Sequence, residues 1–211
     1  MIYYYDNIED FSDIDLMNSY YLLDYNRIEK IKKYHFIIDK KLSAISYLLL
    51  RYALKFEYGI EETFNFRYGK YGKPYLEKYP CIKFNLTHCK QGVACIISRN
   101  EVGIDAELIS SNNIICSNTI LTQKEMCLLE NSKDPEIIFT RLWTIKESYL
   151  KNIGTGLNGN INKLDFSQYN ENMFIYDEKT FCCRKLRNVF LTTCANEVMD
   201  FKILKKKELF K

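Results

Sequence analysis

A carboxylate and an ammonium stand four residues apart in the stretch Trp-Thr-Ile-Lys-Glu-Ser-Tyr-Leu-Lys-Asn-Ile-Gly-Thr-Gly-Leu at residues 143–157. On a helix that spacing puts Glu147 and Lys151 on one face, so an acid and a base point into the same space. Gly154 stands where a left-handed cap would end the helix, and Gly156 keeps the next loop close to the backbone. Taken alone, the pair reads as an exposed helix salt bridge. Upstream, Gly103-Ile104-Asp105-Ala106-Glu107 follows an apolar, strand-like run. Residues two apart on a strand share a face, which sets Asp105 and Glu107 side by side with Cα atoms roughly 6–7 Å apart. Neighbouring carboxylates repel unless a cation binds, and hard oxygen donors of this kind suit magnesium in phosphate chemistry. A solvated strand end is the plainer reading of an isolated Asp-x-Glu. Glu147, a third carboxylate able to reach the same place, weakens it.

Two further segments offer groups for an anion. In Tyr71-Gly72-Lys73-Pro74-Tyr75, Gly72 and Pro74 fix the backbone around Lys73, and the loop is expected to aim its ammonium outward. In Lys83-Phe84-Asn85-Leu86-Thr87-His88, apolar Phe84 and Leu86 alternate with Asn85 and Thr87, the pattern of a strand half buried on one face. That strand ends in a hydroxyl and an imidazole. His88 can donate to a phosphate oxygen, or serve only as a hydrogen-bonded structural residue.

In this order, the Gly-Lys-Pro loop, the Phe-Asn-Leu-Thr-His strand, the Gly-Ile-Asp-Ala-Glu strand and the Trp-Thr-Ile-Lys-Glu-Ser helix resemble the 4′-phosphopantetheinyl transferases of the surfactin-synthetase type, over roughly residues 20 to 205. The resemblance implies an enzyme that binds coenzyme A and Mg2+. A serine of an acyl or peptidyl carrier protein attacks the β-phosphate, and adenosine 3′,5′-bisphosphate leaves. It implies Asp105, Glu107 and Glu147 as the metal carboxylates, with Glu147 also the base for the serine, directly or through water. A carboxylate beside a divalent cation is a weakened base, which favours the route through water. Lys151 would meet charge on the departing phosphate, Lys73 and Pro74 would line the adenine end, and Thr87 and His88 would hold phosphates. Arg27 and Lys30 would grip the 3′-phosphate; a solvated helix face is the plain alternative for that basic run. Many relatives carry an arginine a few residues after an aspartate in the next helix, but Asp39-Lys40-Lys41-Leu42 puts Leu42 there. Lys41 or Lys40 would take over, or the 3′-phosphate is held less firmly. Thr87 stands for the family's usual serine and keeps the hydroxyl.

The implied fold is α+β, a pseudo-dimer of two similar halves with coenzyme A in the cleft between them. Residues 1–101 would form the coenzyme A side and residues 102–211 the half with the carboxylates and catalytic helix. A monomer would suffice. Two other classes stay open: another magnesium-dependent phosphoryl or nucleotide enzyme using the same carboxylates, and a non-catalytic module that binds carrier proteins.

Composition narrows the partners. The 211 residues allow one domain or two small ones. Thirty basic and 27 acidic residues are interspersed for a net charge of +3, which gives nucleic acid no continuous basic surface to bind. Eight cysteines form no Cys-x-x-Cys pair and are expected mostly as buried small hydrophobes. No apolar run approaches the roughly 20 residues that span a bilayer, and the start lacks signal-peptide character, so no membrane partner and a reduced, cytoplasmic setting are expected.

The elements that must position these groups follow from periodicity. Apolar residues at 42, 45, 49, 52 and 56 mark one helix. Runs near 64–68, 83–86 and 93–97 read as strands. After Val102 to Glu107, Thr122 and Glu125 form a capping-box signature, and Asp134-Pro135 opens a helix running to Ile153. That helix buries Ile138, Leu142, Ile145 and Tyr149 on one side, leaving Glu147 at the margin of a cleft. Runs at 173–176, 181–187 and 189–195 complete the second half, with a turn at Asn188.

Overall fold

The computed structural model describes residues 1–156 and 161–211. Leu157, the last residue of the helix motif, lies outside the described residues. The first half comprises β1 (Ile2–Tyr5), α1 (Asp13–Ser19), α2 (Tyr25–Lys32), α3 (Ile37–Tyr58), β2 (Phe66–Tyr68), β3 (Pro74–Leu76), β4 (Lys83–Cys89) and β5 (Gly92–Ser98). The second comprises β6 (Gly103–Leu108), α4 (Ser117–Ile120), α5 (Gln123–Glu130), α6 (Pro135–Ile153), β7 (Met173–Tyr176), β8 (Lys179–Leu186) and β9 (Val189–Ala195). The chain then crosses back: β10 (Phe201–Ile203) pairs in parallel with β1, and α7 (Lys206–Leu209) packs on α3.

The halves repeat one topology. In the first, a strand (β1), a long helix (α3) and a hairpin (β4–β5) give the sheet order β10-β1-β5-β4; in the second, β6, α6 and the hairpin β8–β9 give β6-β9-β8-β7. Both helices end on a left-handed glycine, Gly59 at φ 70° and Gly154 at φ 73°, the conformation a residue without Cβ adopts at no steric cost. The expected α+β architecture of two similar halves is present.

Period-two alternation explains why the central strands are buried on both faces. Tyr3, Tyr5, Val93, Cys95 and Ile97 face α3. Their neighbours Ile2, Tyr4, Ala94 and Ile96 turn the other way and pack against Ile104, Ala106, Val189 and Leu191 of the second sheet. A third cluster, with Leu142, Ile145, Phe181 and Phe190, sits under α6. The order is therefore helix, sheet, sheet, helix, with an apolar seam between the sheets.

Local signals hold with some corrections. Thr122 and Glu125 form the expected reciprocal capping box at the start of α5. Asp134 and Pro135 begin α6, although the Asp134 side chain makes no capping hydrogen bond. Phe56, expected on the buried stripe of α3, is exposed. Only four of the eight cysteines, Cys95, Cys182, Cys183 and Cys194, are buried, whereas Cys81, Cys116 and Cys127 are exposed. The polar face of β4 is not solvated: Asn85 and Thr87 are 5% and 6% exposed because that face abuts β6.

Candidate active site

The site begins with the close approach of α6 to β6. A Cβ built on Gly103 would lie 1.9 Å from the Ser148 carbonyl oxygen and 2.5 Å from the Asn152 nitrogen, so only glycine lets the helix backbone touch the strand. Small or polar residues of α6, Thr140, Thr144, Ser148 and Asn152, are buried along its contact with the sheet. This contact holds Glu147 and Lys151 over Asp105.

Lys151 does not pair with Glu147. Its Nζ lies 2.6 Å from Asp105 Oδ1, across the contact between helix and strand, which removes the exposed helix salt bridge as the explanation of the motif. Asp105 is 3% exposed; Oδ1 also accepts the Thr87 hydroxyl at 3.2 Å, and Oδ2 is buried without a partner. Glu147 Oε1 is a second buried carboxylate oxygen with no hydrogen bond. Burial, with Asp105 adding repulsion, raises the Glu147 pKa against the pull of Lys151. Glu107 is pushed up to about 7, first by burial and then by Asp105, and its Oε1 accepts from the Trp143 indole at 3.4 Å.

Orphaned buried oxygens and raised carboxyl pKa values mark negative charge that the protein leaves uncompensated, which suits a hard cation. Among the described residues, no group of three His, Cys, Asp or Glu side chains is close enough to hold a metal as it stands. The donor chemistry of Asp105, Glu107 and Glu147 fits such an ion, while Lys151 supplies a cation to Asp105 in this arrangement.

Beside the carboxylates lies a cavity of about 350 Å³, lined by residues of the 71–74 loop, by Asn85 and Leu86 of β4, and by Glu147, Leu150 and Lys151 of α6. Both halves contribute to it, and Lys73, Pro74, Glu147 and Lys151 meet there. Lys73 is not aimed outward as expected. Its ammonium donates to Glu101 at 2.7 Å, to the Asn152 carbonyl at 3.0 Å and to the Val102 carbonyl at 3.3 Å, because the end of α6 offers carbonyls with no helical partner. Its stem and the loop backbone, turned at Gly72 with φ 81°, form the wall.

His88 is exposed at the end of β4; the protein around it and the charge of Lys151 hold its pKa below the usual imidazole range. The field of Lys30 acts in the same direction. Arg27 and Lys30 line a separate cavity of about 180 Å³ with Asp24, Asn26, Phe66 and Tyr68. The Arg27 guanidinium is buried, bonds Ser43 at 3.2 Å and lies 4.9 Å from the Phe66 ring centre. Burial, then Arg27, depresses the Lys30 pKa. Lys41 does not line this cavity: its Nζ pairs with Asp13 at 2.8 Å. Leu42, in the place of the expected arginine, is 3% exposed in the core under α3.

Three supports were not legible as such. Asn85 accepts the Ile104 N–H at 2.9 Å, and the polar alternation of β4 was its only signal. Asn152 donates to the Glu101 and Cys194 carbonyls, both at 2.9 Å. Lys146, next to Glu147 in sequence, is fully buried and donates to Glu125 at 2.6 Å and to the Ile120 carbonyl at 2.8 Å. Glu125, also 0% exposed, takes the Phe166 N–H at 2.9 Å as well as capping α5. A larger cavity of about 490 Å³ near Tyr4, Asp6, Lys90 and Arg187 holds none of the motif residues.

Residues 101–194 match the family model described as the 4′-phosphopantetheinyl transferase superfamily. The chain is 33% identical over 149 residues to the 4′-phosphopantetheinyl transferase gsp of Aneurinibacillus migulanus, covering 69% of this chain and 62% of the relative. It is 29% identical over 133 residues to a 4′-phosphopantetheinyl transferase of Bacillus subtilis, with 61% and 59% covered. A third relative, the L-aminoadipate-semialdehyde dehydrogenase-phosphopantetheinyl transferase of Saccharomyces cerevisiae, is 29% identical over 170 residues, 75% of this chain and 61% of that protein. The chain thus spans about three fifths of the length of the relatives it matches.

Proposed function

We propose, from the premise that this chain belongs to the 4′-phosphopantetheinyl transferase superfamily, that it transfers the 4′-phosphopantetheine group of coenzyme A to a serine of an acyl or peptidyl carrier protein. The observation that carries this reading is the pair of buried, unpartnered oxygens, Asp105 Oδ2 and Glu147 Oε1, beside a cleft near which burial, then Lys151, depresses the His88 pKa and burial, then Arg27, depresses that of Lys30. Such a cleft is short of a cation at one side and of a polyanion at the other. Coenzyme A, with a pyrophosphate and a 3′-phosphate, supplies the polyanion.

In this reading the serine oxygen bonds to the β-phosphorus as the bond from that phosphorus to the bridging oxygen breaks. The serine proton goes to Glu147, directly or by way of water, and the departing adenosine 3′,5′-bisphosphate carries the released electron pair. Burial raises the Glu147 pKa in the metal-free protein, but a bound cation would pull it down again, which favours the route through water. Lys151 and His88 meet charge on the phosphates, and Arg27 and Lys30 hold the 3′-phosphate. Lys41, paired with Asp13, stands outside this set, and Pro74 with the stem of Lys73 walls the adenine end. Mg2+ held by Asp105, Glu107 and Glu147 would supply neutralising charge at the pyrophosphate. Residues 1–101 give the coenzyme A side and residues 102–211 the carboxylates, so one monomer carries the whole site.

The test is to incubate the protein with coenzyme A, Mg2+ and a panel of apo-carrier proteins, with a chelator control, and to weigh the carriers by intact mass spectrometry. A metal-dependent gain of one phosphopantetheine is expected. Hydrolysis of coenzyme A without a carrier, or carrier binding that ignores metal and coenzyme A, would replace the reading.

A further inference from the structure

β4 and β6 are edge strands of different sheets that lie side by side, yet no backbone ladder joins them. Two side chains stand in for it. Asn85 Oδ1 accepts the Ile104 N–H at 2.9 Å, and Thr87 Oγ1 accepts the Ala106 N–H at 3.2 Å. Both steps advance by two residues in the same direction, so the strands run parallel and the rungs repeat with the strand period. Ile104 and Ala106 are 0% exposed, and a buried N–H without an acceptor is costly, so these rungs fix where the free edge of β6 lies.

Asp105 sits between the two rungs. The Thr87 hydroxyl has one proton, and it is given to Asp105 Oδ1 at 3.2 Å while the oxygen accepts from Ala106. No proton is left for a phosphate. Oδ1 is then filled by Thr87 and Lys151, and Oδ2 is the oxygen left over, buried and unpartnered. We infer that Asn85 and Thr87 are positioning residues that splice the two sheets and thereby aim Asp105, and Glu107 two residues on, into the cleft. The inference rests on the proposed function for what the two carboxylates do, and it departs from the resemblance, which would make Thr87 a ligand of coenzyme A.

The test uses near-isosteric pairs: Asn85→Leu and Thr87→Val remove the acceptors, while Asn85→Asp and Thr87→Ser keep them. Amide hydrogen exchange at Ile104 and Ala106, a titration with Mn2+ alone, and steady-state kinetics are read on each. Asn85→Leu should speed exchange at Ile104, and Thr87→Val at Ala106, by at least about tenfold. Both should weaken Mn2+ binding and lower kcat, with KM for coenzyme A within about twofold. Asn85→Asp should keep Ile104 protected, and Thr87→Ser should restore both exchange and Mn2+ binding. Unchanged exchange at Ile104 and Ala106 in the acceptor-less variants would overturn the inference. So would a Thr87→Val protein with a raised KM for coenzyme A and unaltered Mn2+ binding, which is how a phosphate ligand behaves. A wild-type protein that neither binds Mn2+ nor modifies a carrier sinks the functional reading instead, and exchange still decides whether the rungs hold β6.

Discussion

Burial and its neighbour Asp105 let Glu107 keep a proton up to about pH 7. Between the ordinary value of 4.5 and about 7, the folded protein binds a proton that the unfolded chain has released. Stability from this group is therefore complete below the lower value and is lost as pH rises through the upper one. Urea titrations of metal-free protein at pH 5 and pH 8 should show a loss of about 2–3 kcal/mol from this group, and Glu107→Gln should flatten the profile. Mg2+ competes with that proton, so its apparent affinity should rise over the same interval. Glu147→Gln or Asp105→Ala should cut carrier modification by at least about a hundredfold while circular dichroism stays native. Unchanged turnover in either would remove these residues from the site. Lys30→Ala should raise KM for coenzyme A about tenfold and make it less sensitive to salt, with kcat kept. The carboxylates, Lys151 and His88 could be singled out as candidates because each stands in a short motif. That Lys151 answers Asp105 rather than Glu147 was not legible, since helix spacing sees only one element at a time.

The meeting of α6 with β6 depends on a missing side chain. Gly103→Ala places a methyl against the Ser148 carbonyl, backbone against backbone, with no flexible group to yield. The helix must move, so loss of thermal stability and of activity together is the expected outcome; full activity at an unchanged melting temperature would mean that the contact is looser than its geometry. The buried Lys146–Glu125 pair braces the other side of α6 and ties it to α5. Lys146→Met strands the Glu125 carboxylate in the core and should cost about 3–5 kcal/mol in a denaturant midpoint comparison. Start and stop signals of α5 and α6 could be read from Thr122, Glu125, Pro135 and Gly154, which act within a turn of themselves. The burial of Lys146 has no local signal, because its partners lie 15 to 26 positions away. Asn85 and Thr87 looked solvated for the same reason: β6, which buries them, is invisible to period-two alternation.

At the scale of the molecule, no sequence repeat betrays the two halves, yet strand, long helix and hairpin recur in the same sheet order. What repeats is the pattern of burial, which many side chains satisfy, so the symmetry survives in the fold alone. Lys73 spans the halves by tying its loop to Glu101 and to the end of α6, and Lys73→Met should lower the melting temperature while blurring the wall of the cleft. The return of β10 and α7 to the first sheet carries a different kind of consequence, one of timing. A ribosome delivers β1 some two hundred residues before its parallel neighbour, which is followed by Leu204 and Leu209 of the same core. Until then one edge of β1 lies open and the first half cannot close. Its maturation therefore waits for the second half to be made, and chains arrested before residue 200 should remain protease-sensitive throughout, where independently folding halves would already protect the first hundred residues.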